Sequence, residues 1–140
     1  MKAATTHCPC GRTDARGRPM TYAACCGRYL DHWDEQPAPD AESLMRSRYS
    51  AFVLQRADYL LATWHAPQRP PSVDFDPGAR WLGLEVRAAR ATGDDTAEVE
   101  FVARHRIAGR AVRLHERSRF VREPVDGVAR WLYLDGDLLE

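Results

Sequence analysis

Apolar and polar positions change rhythm once along this chain, from a helical spacing to a strict alternation. Over residues 41–55, Leu44, Met45, Tyr49, Ala51 and Phe52 recur at spacings of three, four and seven and share one helix face. Asp40 is suited to cap that helix, and Glu42 stands in the first turn, where the helix dipole favours an acid. Arg46 points away from the apolar stripe, but Arg48 lies at its centre, four residues from both Leu44 and Phe52. A second, shorter helix is expected over 58–64, burying Leu60, Leu61 and Trp64 in some combination. Pro67, Pro70, Pro71 and Pro77 then make 65–78 a loop.

Beyond it the period is two, and strands are predicted over 81–90, 97–107, 110–122 and 130–135. The middle hairpin can be tested by register. With Ala108 and Gly109 as a two-residue turn, Ile107 pairs with Arg110, Glu100 faces Arg117 and Glu98 faces Arg119. On the other face Val99, Phe101, Ala103 and His105 meet Ser118, Glu116, Leu114 and Val112. One face is charged and the other mostly apolar. Helices followed by a meander of antiparallel strands read as an α+β domain.

The apolar sheet face carries two intruders, Glu116 and His105. A carboxylate there is costly unless it is paired, and Arg48 poses the mirror problem on the helix. The expectation is an Arg48–Glu116 ion pair, with Tyr49, Ser118 or Tyr133 completing its hydrogen bonds. The alternative is a pocket in which Glu116, with His105 or Asp135, acts as acid or base. His65 and His115 read as loop and solvent-face residues.

Residues 1–33 hold all four cysteines, as Cys8-Pro9-Cys10-Gly11 and Cys25-Cys26-Gly27, with too few apolar side chains for a core of their own. Two tight pairs separated by a loop present four thiolates to one tetrahedral ion, and one structural zinc is the expectation. Adjacent cysteines rarely bridge each other, and the Cys-x-x-Cys spacing of redox pairs is absent. His7 and His32 flank the pairs and are alternative ligands. The expected organisation is a zinc knuckle over 1–33, a linker over 34–40 and an α+β domain over 41–140.

Composition narrows the classes further. The chain has 140 residues, with 20 Lys and Arg against 20 Asp and Glu, so its net charge is zero. That balance argues against nucleic acid as a partner. The bases Arg104, Arg113, Arg117 and Arg119 share a sheet face with Glu98 and Glu100, which neutralise much of it. No stretch approaches the length of a membrane span. The first six residues carry one lysine and no apolar run, so a reducing cytoplasmic setting is expected. No Gly-rich phosphate loop, G-x-S-x-G elbow or His-Glu-x-x-His helix is present, and no residue is given a catalytic role.

Taken together, the residues resemble the YchJ-like family of bacterial proteins. Cys8-Pro9-Cys10-Gly11 and Cys25-Cys26-Gly27 resemble the SEC-C zinc motif, named for the tail of the SecA translocation ATPase. Leu44-Met45-Arg46-Ser47-Arg48-Tyr49-Ser50-Ala51-Phe52, Thr63-Trp64-His65, Glu116-Arg117-Ser118-Arg119-Phe120 and Trp131-Leu132-Tyr133-Leu134-Asp135-Gly136 carry the rest of the match. The resemblance implies a nuclear transport factor two-like cone, a curved four-stranded antiparallel sheet around N-terminal helices, with a small zinc knuckle before it. By analogy it implies a protein partner in export or translation, and a homodimer through the sheet. The second expectation is a small-molecule binder or an isomerase- or hydratase-like enzyme. Its pocket would draw on Tyr49, His105, Glu116, Tyr133 and Asp135.

Overall fold

The computed structural model describes residues 6–139. The expectation about the N-terminal leader falls mainly on residues 1–5, which lie outside these, as does Glu140. Helix α1 (Gly27–Leu30) closes the cysteine segment; α2 (Ala41–Leu54), α3 (Ala57–Ala62) and a 3-10 turn (Ala66–Gln68) follow. Strands β1 (Arg80–Ala91), β2 (Thr96–Ile107), β3 (Arg110–Val125) and β4 (Val128–Leu138) complete the chain. They form one antiparallel sheet in the order β1-β2-β3-β4.

Local chemistry sets the ends of these elements. The Asp40 carboxylate accepts the Ser43 amide at 2.7 Å and so caps α2, which stops at Gln55 in the left-handed region, φ 58°. α3 ends at Ala62, two residues earlier than expected, because β4 captures the chain there. Tyr133 N donates to Thr63 O at 2.7 Å and His65 N to Tyr133 O at 2.8 Å. The β2–β3 turn is Ala108–Gly109, with φ 52° and 77°, and Ile107 pairs with Arg110 as the alternation requires. Asp126–Gly127, with φ 52° and 83°, makes the second tight turn, so β3 and β4 run longer than expected and Pro124 pairs near the hairpin end. Irregular register at 81/83, 86/88 and 119/120 bends the sheet into a concave surface.

α2 fills that concavity. Leu44, Met45 and Ala51 join Val99, Phe101, Ala103 and Phe120 in one apolar cluster. The same cluster contains Cys8, Cys10, Cys25 and Cys26 with Tyr22, Tyr29 and Leu30, so the cysteine segment is built into the main core. Nor does 34–40 hang as a free tether. Ala38 is buried, and Arg130 donates to Trp33 O at 2.7 Å and Asp34 O at 3.2 Å with its guanidinium over the Trp33 ring. The convex face carries the charges. Arg90–Glu98 closes at 2.6 Å, His115–Glu100 at 2.6 Å, and Arg119 reaches Asp135 at 2.6 Å and Asp137 at 2.7 Å.

Candidate functional site

Two tight backbone turns bring the cysteines together. Gly11 N returns to Cys8 O at 3.1 Å around the first pair, and Cys8 N reaches Met20 O at 2.9 Å across the loop. Tyr22 O accepts both Cys25 N at 3.0 Å and Gly27 N at 2.8 Å around the second. The four Sγ atoms then lie within 4.8 Å of one another, all buried and none in a disulfide. Cys10 Sγ stands 3.6 Å from Cys25 Sγ. A tetrahedron of sulfurs at about 2.3 Å from a zinc ion has edges of about 3.8 Å, so the donor set fits a single four-coordinate ion. Hydrogen bonds from Cys10, Cys25 and Cys26 hold Cys8 far toward thiolate, and those from Cys25 and Cys26 hold Cys10 at about 7. Hydrogen bonding to Cys10 pushes Cys25 and Cys26 up. A metal-free cluster therefore shares protons that a cation would displace. His7 and His32 stand outside it: His7 is exposed, and His32 lies 3.8 Å from Glu35.

The cluster is fastened to α2. Arg46 donates to Cys10 O at 3.1 Å and to Glu42 at 2.9 Å, Arg12 donates to Ser43 Oγ at 3.0 Å, and Cys8 Sγ meets Ser50 Oγ at 3.6 Å. From the far end, Arg56 binds Leu30 O at 3.0 Å and Asp31 at 2.9 Å. None of these docking residues was singled out as such by the helical pattern, which marks Arg46 only as facing away from the apolar stripe.

Between α2 and the sheet is a cavity of about 250 Å³. Arg48, Tyr49, Glu116, Ser118 and Tyr133 line it, among the apolar side chains of Met45, Phe52, Trp64, Trp81, Phe101 and Phe120. The expected Arg48–Glu116 ion pair is not formed: among the described residues no such contact falls within 4.0 Å. The guanidinium instead gives Nη1 to Leu60 O at 2.9 Å and Thr63 Oγ1 at 2.7 Å, and lies 5.0 Å and 4.6 Å from the ring centres of Trp64 and Tyr133. Burial lowers Arg48 to about 10, so it stays charged at neutral pH, a buried cation solvated by neutral groups and aromatic faces. Glu116 accepts the Ser118 hydroxyl at 2.7 Å. Gly136, paired with Ser118 on β4, keeps that place open, since a Cβ there would collide with Glu116 Oε2. Burial raises the phenols of Tyr49 and Tyr133 to about 12, leaving both neutral.

Two pocket candidates lie elsewhere. Asp135 is on the convex face, bound by Arg119, because the irregularity at 119/120 shifts the alternation of β4. His105 packs against Trp81 with the rings tilted by 40° and their centres 4.8 Å apart, and it is not among the cavity-lining residues. Periodicity assigns no role to Thr63 or Gly136, which the sequence offers only within the stretches that carry the family resemblance. A lone glycine within a strand pattern is the signal that could have marked Gly136.

Comparison with known proteins agrees with this architecture. Residues 40–136 match the family model described as YchJ, middle NTF2-like domain. A UPF0225 protein of Polaromonas sp. (strain JS666) is 67% identical over 131 residues, which cover 93% of this chain and 91% of that one. Another, from Polaromonas naphthalenivorans, is 64% identical over 139 residues, covering 95% and 98%. Among solved structures, a SEC-C motif containing protein from Psychrobacter arcticus superposes with a TM-score of 0.82 at 32% identity, covering 100% of this chain and 86% of that one. The solution structure of a SEC-C motif containing protein from Rhodopseudomonas palustris gives 0.75 at 31% identity, covering 96% and 100%. The α+β cone, the cysteine cluster ahead of it and these relatives together show that the chain belongs to the YchJ-like family.

Proposed function

We propose that this protein is a metal-stapled binding protein that takes a small molecule into its cone. The observation that carries the reading is Arg48: a buried cation lining an open cavity, with no carboxylate within 4.0 Å among the described residues. A merely structural arginine at this depth is normally neutralised by direct contact, because removing a charge from water is costly. A cavity with apolar walls and a few convergent polar groups is the usual form of a ligand site.

Zinc is the ion proposed for the cysteine cluster. Soft thiolates suit it, and a shell of four protein ligands leaves no open position, which makes the site structural. Bound there, zinc would supply four metal–sulfur bonds and neutralise thiolate charge; this chain's own part is to hold the sulfurs and dock the loop on α2. Four free cysteines also fit a reducing, cytoplasmic compartment. The adaptor reading, with a partner in export or translation, rests on the SEC-C motif by analogy and gives Arg48 no task, so it stands second.

The test is a nuclear magnetic resonance titration with small aromatic fragments such as indole, phenol and benzoate. Saturable shifts at the indole groups of Trp64 and Trp81 and the amides of Tyr49 and Glu116 are expected at millimolar fragment. Shifts confined to the convex face, or none that saturate, would remove the cone from consideration.

A further inference from the structure

The cone's charges are arranged as two halves of one binding site. Arg48 enters from α2 and Glu116 from β3, and each spends part of its hydrogen-bonding capacity on a neutral neighbour. Arg48 Nη1 is taken by Leu60 O and Thr63 Oγ1, and Glu116 Oε2 by Ser118 Oγ. Among the described residues, Arg48 Nε and Nη2 have no protein acceptor and Glu116 Oε1 has no donor. Neither side chain is loose. Trp64 and Tyr133 flank the guanidinium, and the carboxylate rests in the space that Gly136 leaves. Two opposite charges held apart in an apolar chamber are a standing cost, which a molecule bridging both would recover.

Size and charge narrow what that molecule is. A cavity of about 250 Å³ is at the small end for ligand sites, which run from about 300 to 1,000 Å³, so a nucleotide or large cofactor is too big. The two charged groups sum to zero. A simple carboxylate would meet Arg48 but be repelled by Glu116 in a chamber of low dielectric, and a simple amine would meet the reverse problem. A zwitterion satisfies both and leaves the chamber neutral. The remaining walls, Met45, Phe52, Trp81, Phe101 and Phe120, are apolar.

We infer that the cone binds a zwitterionic amino-carboxylate with an apolar side chain. Its carboxylate lies on Arg48, its ammonium on Glu116 and its side chain against Phe52, Trp81 and Phe101. This rests on the cone being a ligand site, and it adds the ligand's class.

Calorimetric titration of the 140-residue protein, purified without chelator, tests it with two matched series. L-Phenylalanine is compared with 3-phenylpropionate, which lacks the ammonium, and 2-phenylethylamine, which lacks the carboxylate. L-Leucine is compared with 4-methylpentanoate and isoamylamine in the same way. At least one amino acid should bind roughly tenfold or more tightly than both of its single-charge analogues, the factor expected for one charged hydrogen bond. In Glu116→Gln that preference over the carboxylate analogue should vanish, while the analogue itself binds no more weakly than to the wild type. Carboxylate analogues that match or exceed the amino acids would overturn the inference and leave the cone a site for anions. Aromatic fragments that enter the cone while all six compounds fail would overturn it as well. Failure of the fragments too would instead sink the ligand-site reading beneath it.

Discussion

Replacing Cys10 by serine, or removing the proposed zinc with a chelator, is expected to destabilise the whole domain by at least about 3 kcal/mol. The sequence pattern alone suggests a detachable knuckle, whose loss would leave residues 41–140 intact. The structure puts Cys10, fully buried, in one apolar cluster with Leu44, Ala51 and Leu60. Its carbonyl also holds Arg46, and Cys8 touches Ser50, so the cysteine loop covers a face of α2 that would otherwise meet water. Metal binding in such a segment is folding free energy, reaching about 10 kcal/mol or more in isolated zinc fingers, part of which the surrounding core can replace here. For a domain of this size a loss of about 3 kcal/mol lowers the melting temperature by about 10 °C. Calorimetry with and without chelator measures it, and hydrogen exchange should show lost protection on α2 as well as residues 8–30. A sheet and α2 that melt unchanged after metal loss would restore the detachable knuckle.

Gly27→Ala should cost about 2–4 kcal/mol and loosen the metal. The reason is steric. A Cβ at Gly27 would stand 2.8 Å from both Tyr22 Cε2 and Tyr22 O, and one of those is backbone. Tyr22 is buried and its carbonyl ties down Cys25 and Gly27, so any retreat by Tyr22 drags the second cysteine pair with it. Overpacking of this kind usually costs about 1–3 kcal/mol in a core, and disturbance of the sulfur cluster adds to it. A melting temperature within about 2 °C of the wild type, with unchanged resistance to chelator, would contradict the assignment.

The parts legible from sequence are those governed by short-range periodicity. The register of β2 against β3 follows from Ile107 facing Arg110, and the structure keeps it for twelve successive pairs, from Thr96–Val121 to Ile107–Arg110. Asp40 as cap and Leu44, Met45, Tyr49 and Ala51 as the buried stripe follow from helical geometry in the same way. The Asp126–Gly127 turn was equally readable, and Pro124 obscured it by suggesting a break where the strand continues. What periodicity cannot give is depth. It shows that Arg48 and Glu116 share an interior, but the bend imposed by three irregularities in the sheet decides whether they touch. Asp135 failed for a related reason, since one irregularity at 119/120 moves it to the opposite face. Likewise, the spacing of the cysteines shows that four sulfurs can converge, while their docking on α2 depends on Arg12, Arg46 and Arg56 making contacts that no local pattern encodes.

On the proposed reading, Arg48 and Glu116 are held apart as two halves of a ligand site and are not a structural ion pair. A double-mutant cycle on the stability of the free protein, using Arg48→Met, Glu116→Gln and the double variant, measures their coupling directly. Two charges that make no direct contact and sense each other only across the cavity predict a coupling energy below about 3 kcal/mol. A coupling of about 3 kcal/mol or more, the scale of a buried ion pair broken from one side, would contradict it.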